Sequence, residues 1–459
     1  MTEVLIFVPG TLGSELFDDE GQVWPGNLKD GVFGFSKARF ERLLAPDLRV
    51  GGVIRKVAKT IDVYESWLRS FGRLRSRESG AALFDETGDL PTLLTVPYDW
   101  RRSIEDAAEV LAGAIERAAG LHGHDARIHV AAHSMGGLVA RYLLQSGRFA
   151  DRAGYDRVET LLTFGTPNKG AAMALAAATG HEAARFLSAE QTKELANDPR
   201  YPSLYQLFPH EGAGVVWDTS PGGRLVAQDV FADRIVARSL GLNEDHLDAA
   251  LALQKVLRGP RPIVRTFMFV GTRYETLTHF LHDGRSLTPV RTSGAGDGTV
   301  PLQGAVLEDH EIRFTDRNHI NLIDAAETLH ALQTLFHADG LLSAVQQAEV
   351  VIDVSDLIVE HGGHIEVGLS FSTLDREIEG TLHLERARPA PGAGDVADAD
   401  FDMMHPEHPT GLLYGGPELA SLHVRLPGLT GPAVYRPILT LGVGGARFVG
   451  PSFVVRRPE

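Results

Sequence analysis

A chain of 459 residues, 43% hydrophobic and 23% charged, has material for a large core and none of the bias of a disordered or fibrous sequence. Its 60 acidic against 44 basic side chains leave a formal charge of −16, a field that repels phosphate backbones and argues against nucleic acid or a strongly anionic membrane as partner. Cysteine is absent, which excludes disulfides and a thiol nucleophile and fits a cytoplasmic setting; no run approaches the roughly 18 apolar residues of a membrane span, and the opening one is too short for a signal-peptide core.

Residues 3–8 (EVLIFV) form an apolar run stopped by Pro9 and Gly10, the pattern of a buried strand that feeds a sharp turn. The turn continues through Thr11, Leu12 and Gly13, where flanking glycines leave backbone N–H groups free to face a ligand. Tyr64, Trp67, Leu68 and Phe71 recur at helical spacing over 63–74, and residues 93–96 read as the next strand. The corner after it, with Asp99 and Arg101, is expected to be a structural ion pair near the mouth of the site. A helix is expected over 104–119.

Residues 127–144 (RIHVAAHSMGGLVARYLL) pass from a β-prone run through small residues into helical spacing, so Ser134 falls on a strand-to-helix turn. Small neighbours allow the strand and helix to approach, and the Met135 N–H at the helix start points where an acyl oxygen would gather charge. A further strand is expected over 158–164. Strands alternating with helices in this way imply a parallel sheet covered on both faces. Over about 171–262 the chain turns to helical pieces and loops rich in aromatic residues, without strand alternation, and reads as a cap over the active face. Strands return over 263–271 and 311–315. Asp297 lies in a glycine-rich loop after the former, and His319 just beyond the latter. A helix over 322–336 closes the domain.

Near residue 350 the grammar changes to short alternating strands with glycine and proline turns, such as 365–371, 422–426 and 453–455. This divides the chain into an α/β domain, 1–346, and an all-β, sandwich-like domain, 347–459; a chain cut at about residue 346 is expected to fold by itself. Between the β segments, 386–410 has the composition of a loop, and His405 and His408 within it read as solvated histidines rather than metal ligands.

Nucleophilic acyl transfer needs a hydroxyl, a base and an acid that orients the base, and Ser134, His319 and Asp297 supply them, each at the end of an expected strand. The chain order Ser, Asp, His is that of the α/β-hydrolase fold. Several stretches, VPGTLGS at 8–14, VWP at 23–25, YDWR at 98–101, AHSMGG at 132–137, GTP at 165–167, PSLYQLFP at 202–209 and GDGTVP at 296–301, together resemble the lecithin:cholesterol acyltransferase family, in that family's order. The resemblance covers about 3–336 and implies an α/β-hydrolase fold with a helical cap and a lipid acyl hydrolase or acyltransferase. By position it implies Ser134 as nucleophile, Asp297 and His319 as acid and base, and Thr11 and Met135 as oxyanion donors. Leu12 and the cap residues Phe186, Tyr205, Phe208 and Trp217 are the candidates to hold an acyl chain. No metal or organic cofactor is needed for this chemistry. The expected partner is a lipid or other ester substrate, with room for transient contact with a membrane and for a protein on the C-terminal region. The competing readings are a small-ester or polyester esterase and a non-catalytic scaffold.

Overall fold

Thr2–Val8 is a strand in which Val4, Leu5, Ile6, Phe7 and Val8 have no exposed surface. Successive strand residues face opposite sides, so burial at every position means that both faces are covered. The strand lies within a sheet of six parallel strands, ordered Glu311–Thr315, Arg265–Gly271, Val158–Phe164, Ala126–His133, Thr2–Val8 and Leu93–Thr95. The computed structural model describes residues 1–57, 61–220, 225–260, 264–308, 310–339, 350–389, 399–442 and 445–457.

Helices form where the apolar spacing is helical and a capping residue precedes it. Ile104–His122 begins at Ser103, whose Oγ accepts the Asp106 N–H at 3.1 Å, places Glu105 and Asp106 at its positive end, and buries Ala108, Leu111 and Ile115. Glu65–Gly72 sets Trp67 and Phe71 against Phe7 with ring centroids 5.8 and 6.1 Å away. Arg101 is fully buried and binds Asp99 at 2.7 Å, the Leu43 and Ala45 carbonyls and the Tyr201 hydroxyl. It ties the 97–102 corner to neighbouring loops, the structural role expected of it.

The segment 171–262 contains the expected helices Ala172–Thr179, Ala189–Asn197, Arg234–Ser239 and Glu244–Leu257. It also contains strands, contrary to expectation. Val216–Asp218 and Val226–Gln228 join Tyr274–His282 and Leu287–Gly296 in a four-stranded sheet. Strands of three residues are too short to show a period, and Val216–Asp218, besides pairing with Val226–Gln228, finds its other partner some sixty residues further along the chain.

Among the described residues from 350 onward all regular structure is β, in one curled seven-stranded sheet rather than two sheets. Gly363–Pro389 is its spine, paired with Val350–Val354 and Ala433–Leu441 and, along its length, with Ala399–Leu429. The stretch read as a loop over 386–410 is therefore largely strand; 390–398 fall outside the described residues, as do the boundary at 346 and the start of the expected strand at 263. Val354, Ile365, Val367, Leu369, Leu439 and Phe453 are buried in a core that this sheet forms for itself.

Candidate active site

Ser134 joins strand Ala126–His133 to helix Met135–Gln145 with φ 51° and ψ −125°, a conformation that side-chain-bearing residues seldom adopt. Its N–H donates to the Phe164 carbonyl at 2.8 Å, which fixes the turn to the neighbouring strand. The following helix passes so close that a Cβ on Gly136 would lie 2.6 Å from the Val8 and Pro9 carbonyl oxygens, and one on Gly137 would meet Thr166 Oγ1 at 1.9 Å. Only glycine fits either place.

Ser134 Oγ lies 2.9 Å from His319 Nε2, and His319 Nδ1 lies 2.8 Å from Asp297 Oδ2. Asp297 is 1% exposed and follows strand Leu287–Gly296; its other oxygen accepts the Thr299 and Val300 N–H groups at 3.0 and 2.7 Å. His319 follows Glu311–Thr315, and its N–H donates to the Asp297 carbonyl at 2.9 Å. A carboxylate can only accept, so Nδ1 carries the proton and Nε2 presents its lone pair to the serine hydroxyl.

Thr11 lies across from the helix start, with Oγ1 3.3 Å from Met135 Sδ. The loop around it is held on both sides: Gly13 N–H donates to Gly10 O at 3.1 Å, and Trp24 Nε1 donates to the Leu12 carbonyl at 3.0 Å, with Leu12 at φ 63°. The two proposed oxyanion donors are thus neighbours beside the serine.

Residues 89–341 match the family model described as lecithin:cholesterol acyltransferase, more than half of the chain. The chain belongs to the lecithin:cholesterol acyltransferase family. In general terms this makes it a lipid-ester hydrolase or acyltransferase, and the matched span contains Ser134, Asp297 and His319 but neither Thr11 nor the C-terminal sheet. Among solved structures it is similar to the lin2722 product of Listeria innocua (10% identity over 72% of this chain and 93% of that one, TM-score 0.31). It is also similar to RedJ, solved with polyethylene glycol in its active site (13%, 73% and 95%, TM-score 0.28), and to a cutinase-like protein from Cryptococcus sp. (13%, 38% and 57%, TM-score 0.20). No curated protein matches. Among the described residues, no helix is long and apolar enough to cross a membrane.

Two polar residues of this family member were not singled out by sequence. His133 Nε2 lies 2.8 Å from the His319 carbonyl, and its Nδ1 lies 2.8 Å from Tyr64 Oη, which itself accepts the Gly10 N–H at 2.9 Å. Because a carbonyl only accepts, Nε2 is protonated and the tyrosine donates to Nδ1. Burial, with His319 beside it, holds the His133 imidazole well below the usual histidine range, and burial pushes the Tyr64 phenol up to about 12. Both stay neutral and link the Gly10 loop to the histidine loop. No spacing rule connects positions 64 and 133; the one sign was a phenol on the apolar stripe read over 63–74.

The cap aromatics are placed differently from expectation. Phe186 is 2% exposed and packs on Trp24 and Phe35, while Tyr205 and Phe208 stack on each other at 4.4 Å, also buried, with the Tyr205 hydroxyl bound to Asn197 and to the Asn243 N–H. These three are interior framework, because large rings gain more by mutual burial than by facing water. Leu12 and Trp217 keep partial exposure.

Asp324, the nearest acid to His319 in sequence on its C-terminal side, makes no hydrogen bond to it; burial, with Asp62 and Asp353 nearby and Arg317 opposing, pushes its carboxyl up to about 7. Since the folded value exceeds the unfolded one, the contribution of this group to stability is most favourable below about pH 4 and is lost as pH rises through 7. Asp324→Asn should therefore stabilise the protein at pH 8 by on the order of 1–3 kcal/mol and much less at pH 4.5. Thermal melts at the two pH values check this; an equal shift at both would be the contrary result.

Proposed function

We propose that the protein is a serine hydrolase or acyltransferase that cleaves lipid esters, of the phospholipid or acylglycerol type, through an acyl-enzyme. The observation that carries this reading is the unbroken hydrogen-bonded chain from Asp297 through His319 to Ser134. In it, Ser134 Oγ attacks the ester carbonyl while His319 Nε2 takes its proton, and Asp297 holds the imidazole in the tautomer that can do so. The Thr11 and Met135 N–H groups receive the developing oxyanion. The proton then passes to the leaving alcohol, and water or an acceptor alcohol, deprotonated by the same nitrogen, releases the acyl group. The proposed division is a hydrolase domain, 1–346, capped by 171–262, followed by a β domain, 347–459, in a cysteine-free chain that suits the cytoplasm.

A fluorophosphonate probe should label Ser134 in the wild-type protein; absence of labelling favours the scaffold reading. For chain length, each methylene buried against the cap contributes about 0.8 kcal/mol, so kcat/KM on p-nitrophenyl esters should rise as the acyl group lengthens. The inward packing of Phe186, Tyr205 and Phe208 keeps a second reading open, in which a smaller cleft serves short or polymeric esters. A sharp optimum at acetate with no fatty acid released from phospholipid micelles would decide for it.

A further inference from the structure

Asp353 stands in the apolar strand Val350–Val354 of the C-terminal sheet, outside the family-matched span, and is 1% exposed. Its Oδ2 accepts the Asn318 N–H at 3.1 Å and the Tyr274 hydroxyl at 3.0 Å; its Oδ1 accepts the Val354 N–H at 2.8 Å and the Asn321 side-chain amide. Asn318 answers with its own side chain, whose amide donates to the Val354 carbonyl and whose oxygen accepts the Ile320 and Asn321 N–H groups at 3.0 and 2.9 Å. The residues on either side of His319 are thus fastened to one buried carboxylate. A second tie runs in parallel, from buried Arg317 to Ser370 Oγ at 3.0 Å. Tyr274 in turn pairs in register with Gly296, the residue before Asp297, so the same carboxylate reaches the loops that carry both base and acid.

We propose that Asp353 is a positioning residue for His319, which makes the C-terminal sheet a working part of the active site. The proposal rests on the triad chemistry proposed above. His319 must meet Ser134 and Asp297 at hydrogen-bond distance at once, and displacement of a reacting group by about 1 Å costs about 100-fold in rate. A buried carboxylate that gathers four donors specifies loop position more tightly than apolar packing does, because removing any acceptor leaves a donor buried without a partner. A chain cut at about residue 346 would lose this anchor together with Val354 and Ser370.

The test compares Asp353→Asn with wild type and with Leu439→Ala, a cavity variant in the core of the same sheet and distant in register from Asp353. Asp353→Asn keeps shape but turns an amide towards donors. It should lower kcat and the rate of fluorophosphonate labelling by about 10- to 100-fold with KM little changed, whereas Leu439→Ala should lower the melting temperature and leave kcat near wild type. Equal loss of kcat in both, or wild-type kcat in a folded Asp353→Asn protein, overturns the proposal. Should Asp353→Asn fail to fold, Asn321→Ala decides: a several-fold lower kcat at unchanged KM supports positioning, and unchanged kcat overturns it. Ser134→Ala run alongside separates the two levels, since full activity there refutes the triad itself, while an inactive Ser134→Ala beside an unaffected Asp353→Asn refutes only the role of Asp353.

Discussion

Ser134→Ala is expected to lower ester turnover by about 10³-fold or more while the protein melts as wild type does. The hydroxyl has His319 Nε2 as its hydrogen-bond partner, whereas the turn is held by the backbone, through the Ser134 N–H to Phe164 and the close approach of Gly136 to the first strand. Removing Oγ therefore takes away the nucleophile and little else. His319→Ala should lose as much, and the double variant hardly more, because members of such a unit act in one step. Steady-state kinetics with a chromogenic ester, beside circular-dichroism melts, measure both. Undiminished hydrolysis by purified Ser134→Ala would refute the assignment.

Asp297→Asn should cost about 10³- to 10⁴-fold in kcat for a different reason. The asparagine oxygen can still accept the Thr299 and Val300 N–H groups, which leaves the amide nitrogen facing His319 Nδ1. Nδ1 must then accept, the ring proton moves to Nε2, and the imidazole donates to Ser134 where it should take a proton. The fold survives, and the base is in the wrong tautomer. A wild-type rate in this variant would mean that His319 takes its orientation from some other group.

The sheet was legible because its inner strands are largely buried on both faces and so are rich in apolar residues, as in VLIFV at 4–8; Val158–Phe164 has the bounds read from sequence. The elbow at Ser134 was legible from its small residues, which the Gly136 and Gly137 contacts require. The cap was read only in outline. Composition places aromatic residues in a segment but does not say which way they face, and Tyr205 and Phe208 face each other. The 386–410 stretch misleads because proline and glycine are common loop markers. Strand Ala399–Leu429 pairs along one edge with Gly363–Pro389, and an edge strand tolerates prolines such as Pro406 and Pro409 that an inner strand would not. Asp353 left a faint sign, a lone acid in VVIDV, but its partners other than Val354 lie 32 to 79 residues away.

The place of Thr2–Val8 inside the sheet bears on how the protein is made. Its two neighbours in the sheet, Leu93–Thr95 and Ala126–His133, are synthesised only after more than 80 further residues. At typical synthesis rates that is on the order of 5–20 s during which five consecutive apolar side chains, Val4 to Val8, have no strand to pair with. A segment that ends covered on both faces of the sheet thus begins as an uncovered apolar run of the nascent chain, the kind of surface a chaperone binds.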